Sequence, residues 1–213
     1  MADLDGVIEL FPTRIFKFRI DPRIIKDAVK HKKKGGENHT FDEVFNHPEF
    51  LSLQEEVLKS VTPYCPGGIP RLRHMRSQQK HDRIGEWKIV SGWINNQSPG
   101  QEGFKYHPHA ESFMSCVVYL EGENMSINFR DEARLAPADE TGRASYDLLI
   151  RHHWHEDATI PAEVGDVILF PSYLLHKPNK NETDIDRISI AYNLMPTRLN
   201  PPTTPPWSIK FDV

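Results

Sequence analysis

From about Gly85 onward the apolar positions recur every second residue. Trp87, Ile89, Ser91 and Trp93 alternate with Lys88, Val90 and Gly92, and the runs Phe113 to Leu120, Met125 to Phe129, Tyr146 to Arg151 and Val167 to Phe170 are short, apolar or alternating, and bounded by turn residues. Strands at this spacing without intervening helices predict antiparallel pairing in a mainly β, double-stranded β-helix (jelly-roll, cupin-like) core over 85–199. The first 84 residues read differently, as a supporting strand and helices. Val7 to Ile20 is rich in Phe and Ile and predicts one interrupted or two short strands. Asp21-Pro22 is an N-cap followed by proline at the first helical position, predicting a helix to about His31 before the Gly35-Gly36 stop. Thr40 and Glu43 form a capping box for a second helical region reaching Val61, which Pro48 divides. Four prolines between Asn200 and Trp207 remove ladder donors, so 200–213 is expected to run extended over the surface.

At 213 residues the chain is expected to form one domain, 1–213, with one substantial core. Lys plus Arg number 26 against 30 Asp plus Glu, for a net charge of -4. That balance argues against nucleic acid and anionic membrane as partners. Cys65 and Cys116 form no CxxC pair, which suits a reducing interior and inert packing roles. Met1 to Gly6 holds two aspartates and no basic, apolar leader, so a soluble, unprocessed, cytoplasmic protein is expected. Pairing of two copies through a β-edge would give a homodimer.

Within the β region, Tyr106-His107-Pro108-His109-Ala110-Glu111 offers metal-ligand side chains at two-residue spacing. Alternate strand residues share a face roughly 6.7 Å apart, so His107 with His109, or His109 with Glu111, can converge on one ion. The spacing alone leaves both open. His176, after the apolar run Val167 to Phe170, supplies a distant third ligand. Two ligands close in sequence and one far away, with positions left for water and substrate, is the facial arrangement of non-heme Fe(II) sites when one ligand is a carboxylate. Eleven residues later Arg187 and Ser189 share a strand face among apolar neighbours. A guanidinium beside a hydroxyl suits a carboxylate, and an inward arginine there is costly without an anion. Arg151 to Glu156 repeats the HxH spacing at His153 and His155 but lacks a distant partner followed by such an arginine, so it reads as a polar strand end. The basic segment Arg71 to Ile84 reads as a pocket rim or a solvated loop.

Taken in order, HxH or HxE, Phe170-Pro171-Ser172-x-Leu174-x-His176 and Arg187-Ile188-Ser189-Ile190-x-x-Asn193 resemble the 2-oxoglutarate and Fe(II)-dependent dioxygenases. The likeness is nearest to a bacterial and phage group of 2-oxoglutarate oxygenases related to prolyl hydroxylases. Glu9 to Ile15, Ser91 to Asn95, and the Ser112 to Leu120 stretch after the HxH extend it over most of the chain. The resemblance implies a dioxygenase using Fe(II), 2-oxoglutarate and O2 to hydroxylate a prolyl or other C–H bond of a peptide or small molecule, releasing succinate and CO2. It implies that His176 is the distal iron ligand and that Arg187, aided by Ser189, holds the distal carboxylate of 2-oxoglutarate. The superfamily pattern selects His109 and Glu111 as proximal ligands, whereas the narrower group selects His107 and His109. Trp93, Asn95, Tyr119 and Asn193 stand on strands that would line the cofactor cavity. Two rival readings are a three-histidine cupin-like metalloenzyme using no 2-oxo acid, which would not need Arg187-x-Ser189, and a non-catalytic jelly-roll binding protein, favoured if no metal can be loaded.

Overall fold

The computed structural model describes residues 13–31, 44–45, 47–65, 86–130, 157–199 and 209–210. The Thr40/Glu43 capping box, the 146–151 strand, the His152 to His155 cluster, the Arg71 to Ile84 segment and nearly all of the Pro-rich tail lie outside them. The architecture is a mainly antiparallel jelly-roll core with helices packed on one face. Among the described residues, no helix is long and apolar enough to cross a membrane.

Strand β1 (Phe16–Arg19) leads into helix α1 (Pro22–Val29), which starts where expected because the Asp21 carboxylate accepts from the Arg23 N–H at 2.8 Å and Pro22 needs no donor partner. Pro48 is the described start of the second helical region. It opens a 3-10 turn, Pro48–Phe50, that runs into α2 (Leu51–Val61), the position at which a missing N–H costs nothing. Both helices are amphipathic. Ile25 and Ala28 of α1 and Leu53, Val57 and Val61 of α2 are buried against one face of the larger sheet.

That sheet has the order β1-β6-β3-β8-β2, with β2 Trp87–Gln97, β3 Met114–Glu121, β6 Asp166–Pro171 and β8 Arg187–Pro196. A smaller sheet, β5-β4-β7, comprises β4 Met125–Arg130, β5 Ala158–Ala162 and β7 Leu175–Pro178. Short strands β9 (Arg198–Leu199) and β10 (Ile209–Lys210) pair with each other. Strand alternation splits the larger sheet into two faces. Cys116, Val118, Leu120, Ile190, Tyr192 and Leu194 meet the helices, while Tyr119, Ile168 and Phe170 pack with Ile127 and Phe129 of the smaller sheet.

One departure from simple alternation shapes the interior. Ile89 pairs with Leu194 but Ser91 with Asn193, so two β2 residues span one β8 residue, a β-bulge. Trp87 and Ile89 therefore face the helices, and from Ser91 onward the alternation is inverted, turning Trp93 inward. The uninterrupted period-two reading, which put Trp87, Ile89, Ser91 and Trp93 on one face, is corrected by that extra residue. Cys65 and Cys116 are free and buried, and burial pushes the Cys65 thiol up to about 12 and raises that of Cys116 as well.

Candidate metal centre and anion pocket

The chain entering β3 lies antiparallel to β7. His107 and His176 form an isolated bridge, each N–H donating to the other's carbonyl at 3.1 Å. Directly opposed residues of an antiparallel pair project to the same side, and His109 lies two residues on, held by its N–H to the Ser172 carbonyl at 2.8 Å. The three imidazoles consequently meet. Their ring centroids are 4.6 to 5.2 Å apart, and one nitrogen from each falls within a mutual 4.8 Å. Glu111 is exposed and outside this group, because the chain turns at Ala110-Glu111 and the strand alternation that would have aligned Glu111 with His109 ends there.

The imidazoles are prepared as ligands. His107 Nδ1 lies 2.8 Å from the Lys105 carbonyl, and His176 Nδ1 lies 2.9 Å from that of Leu174. A carbonyl can only accept, so each Nδ1 carries the proton and each Nε2 presents its lone pair. His109 Nε2 and His176 Nε2 are 3.1 Å apart. Two nitrogens bound to one ion at about 2.1 Å and roughly at right angles lie about 3 Å apart, so this separation fits a shared metal. Burial, reinforced by the other imidazoles, holds His109 down to about 4 and His176 to about 3, which keeps both neutral and able to coordinate. Phe129 and Phe170 flank His176 and keep its surroundings apolar.

A cavity of about 260 Å³ opens from this cluster between the two sheets. All three histidines line it, together with Trp93, Asn95, Tyr119, Arg187 and Ser189. Arg187 is 3% exposed. Its Nη1 donates to Gln97 Oε1 at 3.2 Å and to the carbonyl and Oδ1 of Asn179 at 2.9 and 2.8 Å, and its Nη2 donates to the Asn124 and Lys180 carbonyls at 3.3 and 3.4 Å. All of those acceptors are neutral. Its Nε is buried without a partner, and burial lowers its proton affinity. Among the described residues no carboxylate pairs with it, so the cavity wall carries a buried cation without a counter-ion.

Asn193 is placed elsewhere. Its amide donates to Ser91 Oγ at 3.1 Å and accepts from Ser115 Oγ at 2.8 Å, within a buried polar network that continues to Ser172 and Ser112. It is a strut behind the histidines, since the bulge brings Ser91 and the β3 register brings Ser115 to its amide. Sequence reasoning missed Gln97, Asn179 and Ser172. An Asn-x-Asn pair after Pro178 is a turn signal whose side chains commonly cap backbone groups, and this was the available clue to Asn179.

The family described as "Putative 2OG-Fe(II) oxygenase" matches residues 91–193, a span holding the three histidines and Arg187. Residues 91–193 are thus similar to the 2OG-Fe(II) oxygenases. Solved structures of similar fold include the non-heme alpha ketoglutarate dependent epimerase SnoN from nogalamycin biosynthesis, at 13% identity over 89% of this chain and 82% of that one, TM-score 0.61. The carbocyclase SnoK from the same biosynthesis, also alpha ketoglutarate dependent, is 14% identical over 88% and 81%, TM-score 0.59. HygX from Streptomyces hygroscopicus, with nickel, 2-oxoglutarate and hygromycin B bound, is 14% identical over 87% and 84%, TM-score 0.56. At such identities these likenesses establish the fold. No curated protein matches the chain in sequence.

Proposed function

We propose that this 2OG-Fe(II) oxygenase core is an Fe(II)- and 2-oxoglutarate-dependent dioxygenase that hydroxylates a C–H bond of a small molecule or peptide. The observation that carries the reading is that one cavity holds both the three-imidazole cluster and Arg187, which has no counter-ion among the described residues. His107, His109 and His176 would hold the metal through Nε2. Bound iron would supply O2 activation, with 2-oxoglutarate, O2 and R–H giving succinate, CO2 and R–OH.

The protein's own residues bind and orient. Arg187 grips the distal carboxylate of 2-oxoglutarate, and Ser189, next but one on β8, offers a hydroxyl on the same face. Burial raises the Tyr119 phenol, so it stays protonated as a donor on the cavity wall. Trp93, Val117, Ile127 and Ala191 limit water around the reacting centre. Phe104, half-exposed and edge-on to His107, marks the mouth from which substrate enters.

A second reading follows from the ligand set: three imidazoles, with no carboxylate joining them among the described residues, also suit a cupin-like metalloenzyme that uses no 2-oxo acid. The buried Arg187, with no carboxylate partner among the described residues, favours the first. Anaerobic titration of the protein with Fe(II) and then 2-oxoglutarate separates them. A visible metal-to-ligand charge-transfer band that is lost in Arg187→Ala supports the dioxygenase. Tight iron binding without the band moves the assignment to the second reading.

A further inference from the structure

Strands β2 and β8 begin and end together at the cavity: Gln97, the last residue of β2, lies directly opposite Arg187, the first of β8. The Gln97 side chain is buried, and its amide joins three elements. Nε2 donates to the Gln101 and Asn179 carbonyls, both at 2.9 Å, while Oε1 accepts from Arg187. Asn179 supports the guanidinium from β7's end. Its Oδ1 accepts from Arg187 at 2.8 Å and from the Ser126 N–H at 2.9 Å.

Both positions contact a buried cation, where a carboxylate would form the shorter, charge-assisted bond and offset the cost of burying the charge. The chain instead presents an amide at each. An amide fixes the guanidinium's direction and leaves its net charge uncancelled. A carboxylate in either place would act as a permanent internal counter-ion and compete with any anion entering the cavity. Resting on the reading of Arg187 as the anion-binding group, we propose that Gln97 and Asn179 are positioning residues that orient Arg187 through neutral acceptors and thereby reserve its charge for an incoming dicarboxylate.

Gln97 has a second consequence. Its bond to the Gln101 carbonyl ties the guanidinium to the 98–104 segment, whose Gln101 to Phe104 wall the cavity mouth. Asn181, fully buried, closes the same frame by donating to the Gln97 carbonyl at 2.8 Å, with its own N–H donating to the Gln101 carbonyl at 3.1 Å. Arginine and mouth are thus held in one hydrogen-bonded unit.

Asn179→Asp is the cleaner test: an aspartate oxygen keeps both the Arg187 and Ser126 donors, and the change removes one exposed amide bond, to the Asn124 carbonyl at 3.2 Å, where Gln97→Glu removes two. Three quantities are measured: 2-oxoglutarate affinity by calorimetry on anaerobic Fe(II)-loaded protein, Fe(II) affinity, and the urea midpoint of the metal-free protein. The expected result is a 2-oxoglutarate Kd raised about tenfold or more, with Fe(II) affinity within about twofold of wild type and a urea midpoint that does not fall. Gln97→Glu should weaken 2-oxoglutarate binding likewise, and it carries the test if Asn179→Asp fails to fold. Retention of wild-type 2-oxoglutarate affinity by both variants overturns the inference, as does a loss that merely parallels a fall in stability. If wild-type protein binds iron but no 2-oxoglutarate, the dioxygenase reading fails and this inference fails with it. Only the first two outcomes leave that reading intact.

Discussion

His107 and His176 face each other across a single antiparallel bridge, each N–H donating to the other's carbonyl at 3.1 Å. This one backbone contact joins positions 69 residues apart in the chain and sets two imidazoles side by side before any metal arrives. Replacing either by alanine should preserve the bridge, which is made by backbone, and remove a ligand.

His107→Ala, His109→Ala and His176→Ala are each expected to weaken Fe(II) binding by at least about 100-fold, beyond the loss typical for an outer-sphere partner. Glu111→Ala should leave it unchanged. Iron titration of the four variants checks this, and a Glu111 effect equal to that of His107 would return the carboxylate to the ligand set.

Arg187→Lys retains a positive charge but loses the planar fork that meets several acceptors at once. A compact ammonium cannot serve Gln97, Asn179 and a ligand together. The Kd for 2-oxoglutarate should rise about tenfold or more while Fe(II) affinity holds, as measured by the charge-transfer band.

Acidification should destabilise the metal-free protein. His109 and His176 are held at about 4 and about 3 in the fold, against an ordinary 6.5, so the unfolded chain takes up protons first. Their contribution to stability is complete above about pH 6.5 and is lost as pH falls from there toward those folded values. The slope per histidine is at most about 1.4 kcal/mol per pH unit. Urea midpoints between about pH 5 and 6.5 should show it, and His109→Ala/His176→Ala should flatten the profile.

Gly103→Ala tests the docking of the mouth. A Cβ there would lie 2.2 Å from the Pro178 carbonyl oxygen, so the 98–104 segment must move away from β7. A loss of about 1–3 kcal/mol in urea denaturation is expected. Because the segment continues into His107, weaker iron binding should accompany it.

Much of the scaffold was legible locally. Asp21-Pro22 announces α1 because capping and a missing donor act within one turn, and the short, nearly continuous apolar runs of β3 and β8 announce strands buried on both sides. The β2 bulge was not legible, since an extra residue between Ile89 and Ser91 is defined only by what β8 places opposite. Pro48 marks a boundary in the sequence because proline cannot continue a helix; that the boundary is a 3-10 turn leading into α2 goes with the burial of Phe50. Asn193 stands on a strand expected to line the cavity, yet Ser91 and Ser115 claim its amide.

By itself the sequence determined the element types, the jelly-roll class and the supply of metal-ligating and anion-binding side chains, because periodicity, capping and ligand chemistry are properties of neighbouring residues. Only the tertiary structure decided that His107 rather than Glu111 joins His109 and His176, and that Arg187 is buried among neutral amides with no carboxylate partner among the described residues. Both are decided by contacts between strands distant in the chain: a backbone bridge chooses which side chains converge, and burial decides what an unpaired charge is left to bind.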